Sequence, residues 1–423
     1  MDSAAPGPRG CRIGYGRVST RDQSPDSQRD ALEAAESAGG HWVRSWAAAP
    51  QRADQDLPDI ADATLRQEVR ISCGGSRVRI RFTNEFGGTG VTIGAARAGI
   101  AGPDGTILPG SDRSLTFADT PSTFVPAGAP AISDPADLVV PALATLVVSV
   151  YLPERVNDVT GHNLVAGPGW IIPGDQTAAA GLPPAAGPLD GRVLLSGVET
   201  LVPASAVGIV AIGSSVTDGA GATNAAGGGW PEQLAARFAV TSNRPVAVAN
   251  QAISGNRLLN DGFGASILAR FDRDVLASPG VTHLVLLAGM NDIAYSIAPG
   301  DADPEFAGIM TTDAPVGTAD VIAAYRQIIE RAHAHGVAVF GATLTPYGGS
   351  GFGTHDGQAA RQHVNDWIRS SGAFDAVLDF DAVWRDPGDP ARIAAGFDLG
   401  DHMHGNDAGY RALADSIDLG LFD

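Results

Sequence analysis

Four short polar segments in the second half of the sequence contain residue types that together can hydrolyse an ester. Such an enzyme needs a nucleophile, a base, a group that orients the base, and donors for the oxyanion. A serine pair occurs in AIGSSVTDG (211–219), an asparagine in LLAGMND (286–292), and carboxylates with histidines in DLGDHMHGN (398–406). NQAISGN (250–256) is the fourth segment, and its residues alone indicate little. Each segment alone is also an ordinary loop sequence, so their combination carries the interpretation.

The segment DLGDHMHGN (398–406) contains a carboxylate and a histidine that could act together as acid and base. Asp401 and His404 are three residues apart, so one turn of backbone can bring carboxylate and imidazole together. The carboxylate would then hold the imidazole in the tautomer whose Nε2 accepts a serine proton. His402 and His404 also suggest a metal site, but no cysteine or carboxylate cluster accompanies them. We therefore expect neither a metal nor an organic cofactor.

Each of the first three polar segments follows a short apolar stretch typical of a buried strand. Helical patterns lie between the strands: Ala319–His335 has an apolar stripe, and Pro231 suits the first turn of a helix that runs to about Phe238. This alternation predicts a parallel sheet covered by helices on both faces, with the site at the carboxyl ends of the strands. The predicted strands are Gly208–Gly213, Val246–Gln251, His283–Leu287, Val337–Thr343 and Ala376–Phe380.

The four segments resemble, in the same order, the sequence blocks of the SGNH/GDSL family of serine esterases and lipases. The resemblance implies that Ser215 is the nucleophile, His404 the base and Asp401 its orienting carboxylate. It also implies an oxyanion hole made by the backbone N–H groups of Ser215 and Gly255 and by the side chain of Asn291. The fold that it implies is a flavodoxin-like, three-layer α/β/α hydrolase domain, which we assign to residues 207–423.

The sequence departs from the family pattern at one position of the nucleophile segment. Ser214 stands where the family usually has aspartate, while Gly213 and Asp218 of the block are present. The missing aspartate is neither nucleophile nor triad acid, so we expect the chemistry to survive. A non-catalytic binding protein on a hydrolase scaffold is the alternative that this replacement suggests.

The segments between the blocks bear on the substrate. Asn260–Ala265 and Gly348–Gly357 are rich in glycine and polar residues and offer few bulky side chains to line an acyl tunnel. We therefore expect short-acyl, acetyl-type esters as substrates, with a carbohydrate ester as one natural form. A lipase or thioesterase of the same family is the alternative.

Residues 41–206 have an all-β pattern. Leu65, Val69, Ile71 and Cys73 alternate with polar residues, and Gly74–Gly75 fits a two-residue hairpin turn. Many short strands at this spacing predict a β-sandwich or jelly roll ahead of the hydrolase domain, with Cys73 as a buried free thiol. NEFG (84–87) and the sequence around His162 resemble an accessory β-domain that precedes the catalytic domain in some relatives.

Residues 1–40 have a different character. RIGYGRVSTRDQSPDSQRDALEAA (12–35) resembles the start of a serine recombinase, in which Ser19 would attack a DNA phosphodiester. The stretch is far shorter than a recombinase catalytic domain, and no further arginine clamp follows. We interpret it as a remnant or a disordered extension, and recombinase activity as the least favoured alternative.

Composition narrows the set of partners. The net charge is −19, which opposes binding to nucleic acid or to an anionic bilayer. The apolar runs are too short to span a membrane, so we expect no integral membrane association. The first residues lack the apolar segment of a secretory signal, which favours a cytoplasmic protein; an atypical leader would make it a secreted one. The oligomeric state is left open.

Overall fold

The computed structural model describes residues 39–53, 60–164, 167–223, 227–296 and 315–423. The prediction for residues 1–40, including the recombinase-like stretch and Ser19, falls almost entirely outside these ranges and stays a prediction. No helix within the described ranges is long and apolar enough to cross a bilayer.

The N-terminal described region consists of antiparallel sheets around one core. A four-stranded sheet has the order β1-β15-β4-β9, and a six-stranded sheet has the order β13-β12-β3-β10-β6-β7. Alternating side chains of both sheets meet in a shared apolar cluster. This is the sandwich form of our prediction, whereas the jelly-roll form stays a prediction. The strands are β1 His41–Ala47, β2 Gln51–Arg52, β3 Ala63–Arg70, β4 Val78–Thr83, β5 Val91–Ile93, β6 Ala95–Ile100, β7 Arg113–Ser114, β8 Thr123–Val125, β9 Pro130–Ile132, β10 Thr145–Leu152, β11 Thr160–His162, β12 Gly169–Pro173, β13 Gly187–Pro188, β14 Arg192–Val193 and β15 Leu195–Val202.

The hairpin predicted at Gly74–Gly75 is wrong. β3 and β4 have the predicted alternation, but they belong to different sheets, and the glycines lie in the segment that crosses between them. Neither glycine has a positive φ. A Cβ on Gly74 would lie 2.5 Å from the Val140 carbonyl oxygen, so close backbone approach accounts for glycine there.

The C-terminal described region is built on a five-stranded parallel sheet. Its order is β17-β16-β18-β19-β20, which is the 2-1-3-4-5 order of flavodoxin-like folds and confirms the predicted fold class. The predicted strand positions agree with the observed ones to within two residues. The strands are β16 Val207–Gly213, β17 Val246–Asn250, β18 Val281–Leu287, β19 Ala338–Ala342 and β20 Ala376–Leu378.

Helices cover both faces of this sheet. β17 and β18 lie on opposite sides of β16, so right-handed crossovers place the helices after β16 and after β17 on opposite faces. α2 and α8 pack together on one face, while α3, α5 and α6 form the other layer. The helices are α1 Ser215–Asp218, α2 Trp230–Thr241, α3 Ile267–Phe271, α4 Met290–Ser296, α5 Thr318–His333, α6 His355–Ser370, α7 Phe380–Trp384 and α8 Asp407–Ser416, with a π-helical turn at Asp272–Leu276 and 3-10 turns at Pro103–Gly105 and Leu419–Phe422.

The two regions pack directly against each other along β1 and β17. Val43, Cys73 and Ala247 belong to one small apolar cluster at this boundary. The Ser72 hydroxyl accepts a hydrogen bond from the Val248 backbone N–H at 2.9 Å. Cys73 is a buried free cysteine, as predicted, and burial raises the pKa of its thiol to about 12.

Candidate active site

Ser215 begins α1 directly beyond the carboxyl end of β16. Gly213 is the last residue of that strand, and Ser214 forms the cap of the helix. A Cβ on Gly213 would lie 2.4 Å from the Leu287 carbonyl oxygen of the neighbouring strand, so only glycine allows this close turn. The turn places the Ser215 side chain at the edge of the sheet where the loops converge.

His404 and Asp401 lie next to Ser215 in one hydrogen-bonded chain. His404 Nε2 is 2.8 Å from Ser215 Oγ, and His404 Nδ1 is 2.6 Å from Asp401 Oδ2. The other Asp401 oxygen, Oδ1, accepts hydrogen bonds from the backbone N–H groups of Met403 and His404 at 3.0 and 2.9 Å. These bonds fix the carboxylate against the imidazole. The arrangement has the distances required for proton transfer from the serine hydroxyl.

The Asp401 carboxyl is held in its ionised form. Partial burial opposes ionisation, but hydrogen bonds from the His404 ring and from two backbone N–H groups outweigh it and lower the pKa of Asp401 below its ordinary value. A carboxylate beside Nδ1 stabilises the N–H tautomer at that nitrogen, and it stabilises the imidazolium after proton transfer.

The three predicted oxyanion donors lie just beyond the carboxyl ends of three neighbouring strands, β16, β17 and β18. The Ser215 N–H belongs to the first residue of a helix, where no intrahelical acceptor exists. Gly255, with φ +74°, lies in the turn after β17, and no hydrogen bond within the described residues uses its N–H. The Asn291 amide, which is buried, donates one hydrogen to the Asn256 carbonyl oxygen at 2.9 Å and has a second hydrogen to offer.

Two buried charged residues that the sequence analysis did not single out anchor the turn around Gly255. Arg270 donates to the Gln251 carbonyl oxygen at 2.6 Å and to Asn256 Oδ1 at 2.9 and 3.1 Å. The Asp292 carboxyl oxygens accept hydrogen bonds from the backbone N–H groups of Leu258 and Leu259 at 2.7 and 3.0 Å. Asp292 directly follows the predicted Asn291, whereas Arg270 has no signal in the local sequence.

Asp218 has partners that motif reasoning could not supply. One of its oxygens is 3.0 Å from His162 Nε2, and the other accepts two hydrogen bonds from Ser254, both at 2.7 Å. Ser214, by contrast, makes no capping hydrogen bond through its side chain. Ser214 therefore caps α1 only through its backbone carbonyl oxygen, which accepts the Asp218 N–H at 2.8 Å, and its side chain has no part in the cap.

The metal alternative was based on His402 and His404. Each ring instead places its Nδ1 2.6 Å from a separate carboxylate, Asp398 for His402 and Asp401 for His404. Among the described residues, no group of three or more histidine, cysteine, aspartate or glutamate side chains is placed to hold a metal ion.

Similarity to known proteins is concentrated in the C-terminal region. Residues 211–412 match the GDSL-like lipase/acylhydrolase family. No curated protein matches the chain.

Solved structures similar to the chain align with about half of its length. A GDSL-like lipase from Bacteroides thetaiotaomicron is 17% identical, with a TM-score of 0.38, and the alignment covers 51% of this chain and 87% of that one. An acetyl xylan esterase from Geobacillus stearothermophilus is 18% identical, with a TM-score of 0.37, covering 49% and 91%.

The sequence match and the topology agree on the C-terminal region. It has the flavodoxin-like strand order, and the matched residues 211–412 contain all five candidate site residues, Ser215, Gly255, Asn291, Asp401 and His404. Residues 211–412 therefore form a domain of the GDSL-like lipase/acylhydrolase family, and the chain is a carboxylic ester hydrolase.

Proposed function

We propose that the chain cleaves esters through an acyl-enzyme on Ser215, with His404 as the base and Asp401 as the carboxylate that orients it. The observation that carries this proposal is the continuous chain of contacts, 2.8 Å from Ser215 to His404 and 2.6 Å from His404 to Asp401. Such a chain at the carboxyl edge of a parallel sheet is the arrangement that nucleophilic ester hydrolysis requires.

The reaction proceeds in two symmetrical halves. His404 Nε2 takes the hydroxyl proton as Ser215 Oγ bonds to the ester carbonyl carbon. The negative oxygen of the tetrahedral intermediate is stabilised by the Ser215 and Gly255 N–H groups and the Asn291 amide. Collapse breaks the ester C–O bond, and the leaving alcohol takes the proton from His404. Water, deprotonated by His404, then attacks the acyl carbon, and the carboxylic acid leaves as Ser215 regains its proton.

We further propose that the natural substrates carry short acyl groups, with acetylated carbohydrate as the favoured class. Among the described residues, the cavity beside Ser214 measures about 10 Å³, which is close to the space of one water molecule and too small for an acyl chain. The segments near the site, 260–265 and 348–357, are rich in glycine and polar residues. The cavity is lined by Ser214, Val216, Leu287, Ala288, Met290, Leu344 and Thr345.

Kinetics on a series of p-nitrophenyl esters, from acetate to octanoate, test both parts of the proposal. Ser215→Ala should lower kcat by about 10⁴-fold to 10⁶-fold and abolish labelling by a serine-directed phosphonate. Ser214→Ala is the matched control and should cost much less, because that side chain makes no capping hydrogen bond.

The acyl series separates the esterase from the lipase alternative. For wild type, kcat/KM should fall steadily from acetyl to octanoyl, since each added CH₂ contributes about 0.8 kcal/mol only where a pocket holds it. A maximum at octanoyl would defeat the short-acyl proposal. A dead Ser214→Ala variant beside an active Ser215→Ala variant would defeat the assignment of the nucleophile.

A further inference from the structure

A histidine of the β-sandwich reaches into the nucleophile segment. His162, at the end of β11, is 6% exposed. Its Nδ1 is 3.1 Å from the Ala49 carbonyl oxygen, and its Nε2 is 3.0 Å from Asp218 Oδ1. Because a carbonyl oxygen only accepts, Nδ1 carries a hydrogen. The Asp218 carboxylate is therefore best matched by a doubly protonated imidazolium, whose Nε2 donates to it.

Asp218 connects His162 to the oxyanion turn, which is the turn after β17 that contains Gly255. Its second oxygen accepts hydrogen bonds from both the backbone N–H and the hydroxyl of Ser254, each at 2.7 Å. Ser254 is followed directly by Gly255, whose N–H is one of the oxyanion donors. Asp218 also lies on the same short helix as Ser215, three residues further along. One buried carboxylate thus connects the β-sandwich, the nucleophile helix and the oxyanion turn.

A second side chain of the β-sandwich acts on the same turn from another direction. Gln51, on β2, is buried and donates from Nε2 to the Phe263 carbonyl oxygen at 2.9 Å. The Phe263 ring lies against Gly255: a Cβ there would be 2.3 Å from Phe263 Cδ2. The β-sandwich therefore holds both segments that flank the Gly255 N–H.

We propose that His162 is a positioning residue for ester hydrolysis, which fixes the Gly255 N–H through Asp218 and Ser254 and makes the β-sandwich part of the catalytic apparatus. This inference rests on the proposed function. An oxyanion donor stabilises charge that exists only in the transition state, and small displacements of such groups cost large rate factors. Loss of the His162 contact should therefore lower kcat and leave KM nearly unchanged.

Steady-state kinetics of the full chain with p-nitrophenyl acetate test the proposal. His162→Ala should lower kcat by about 10-fold to 100-fold, below the loss expected for removing an oxyanion donor outright. His162→Gln retains an N–H that can reach Asp218 and should recover most of that loss. His41→Ala is the matched control, since His41 lies on the β-sandwich beside Gly280, at the opposite end of β18, and kcat should not change.

A double variant tests whether the effect passes through Ser254. Ser254→Ala removes one hydrogen bond to Asp218 and should lower kcat by about threefold to tenfold. Combined with His162→Ala, it should add little to the loss that His162→Ala causes alone, because both changes act on one connected chain. If the kcat losses of the two single variants multiply in the double variant, the two side chains act independently, and the proposed route from His162 through Ser254 is overturned.

The remaining outcomes distinguish a failure of the positioning role of His162 from a failure of the proposed function. If wild type turns over esters while His162→Ala has wild-type kcat, or an altered KM alone, the positioning role is excluded. If circular dichroism shows that His162→Ala does not fold, the Ser254→Ala variant tests the inference instead. A kcat of Ser254→Ala equal to that of wild type would then overturn the inference. A wild type that neither hydrolyses esters nor is labelled at Ser215 by a phosphonate would instead overturn the proposed function.

Discussion

His402 and His404 are separated by one residue, yet the structure gives their rings different surroundings. The His404 ring lies between Asp401 and Ser215 and is 19% exposed. The His402 ring is 43% exposed and pairs with Asp398, whose second oxygen accepts the backbone N–H groups of Gly400 and His402. The His402–Asp398 pair therefore stabilises the loop 398–402, while the His404 ring faces the Ser215 hydroxyl.

This difference predicts unequal consequences of two matched substitutions. His404→Ala should lower kcat by about 10⁴-fold or more, because no other described side chain is placed to take the Ser215 proton. His402→Ala should change kcat little, and Asp401→Asn should fall between the two, since the base is kept but loses its orienting carboxylate. Kinetics on p-nitrophenyl acetate measure all three variants. Equal loss in both histidine variants, with recovery on adding zinc, would favour a metal site.

At the scale of elements, α3 and the turn after β17 form one buried polar unit. Arg270 on α3 binds the Gln251 carbonyl oxygen, and it pairs with Asp274 of the π-helical turn at 2.8 Å. Asp274 has a second partner in Arg273, at 2.6 and 2.8 Å. The oxyanion turn therefore depends on a helix that carries no catalytic residue.

Arg270→Met should consequently affect both stability and catalysis. It leaves the acceptors of the turn without their donor, and we expect the free energy of unfolding to fall by about 3 kcal/mol, as for other broken buried charge pairs. kcat should fall as well, because the position of Gly255 depends on the turn. Arg392→Met is the control: Arg392 pairs with Asp389 at 3.3 Å, both side chains are more than half exposed, and an exposed pair contributes about 1 kcal/mol or less. Urea denaturation would measure both losses, and equal losses would contradict this account.

At the scale of the whole molecule, the boundary between β-sandwich and hydrolase domain is polar near the active site and apolar further away. Val43, Cys73 and Ala247 form its apolar part. Near the site, Arg273 lies over the ring of Phe86, and His162 meets Asp218. The NEFG segment (84–87), which contains Phe86, thus contributes directly to this boundary.

The buried His162–Asp218 contact should make stability depend on pH. Burial opposes the imidazolium, and Arg270 does so weakly, but the Asp218 carboxylate and the Ala49 carbonyl raise the pKa of His162 above its ordinary value. A raised folded-state pKa gives stabilisation that is complete below the unfolded value of about 6.5 and is lost as pH rises through the folded value.

Unfolding free energies of wild type and His162→Gln, compared between about pH 5.5 and pH 9, measure this effect. The advantage of wild type should be largest at acidic pH and should shrink as pH rises. His355→Gln, at a ring that is 98% exposed, should show almost no such change. An advantage of wild type that grows with pH would mean that His162 is neutral in the folded protein.

Local sequence was sufficient to predict the five strands of the parallel sheet and two of the helices that cover it, and to nominate candidate site residues of the hydrolase domain. Alternation of buried strands and amphipathic helices dictates a parallel sheet, and each loop after a strand ends at the same edge. Ser215, Gly255 and Asn291 could therefore be assigned to one place before any distance was known, whereas His404 was assigned there by the resemblance to a family. The resemblance to a family assigned their roles, which the proposed substitutions test.

Tertiary structure decided the features that depend on packing between distant segments. β3 and β4 have the pattern of a hairpin, yet they pair with different strands, because burial in a two-sheet core is satisfied equally well by either arrangement. Arg270 has no local signal, and the sequence around His162 indicated a β-domain but no contact with the site. The role of a buried polar group depends on the partner that satisfies it. For His162 that partner, Asp218, lies in another domain, and only the packing of two separate cores brings them together.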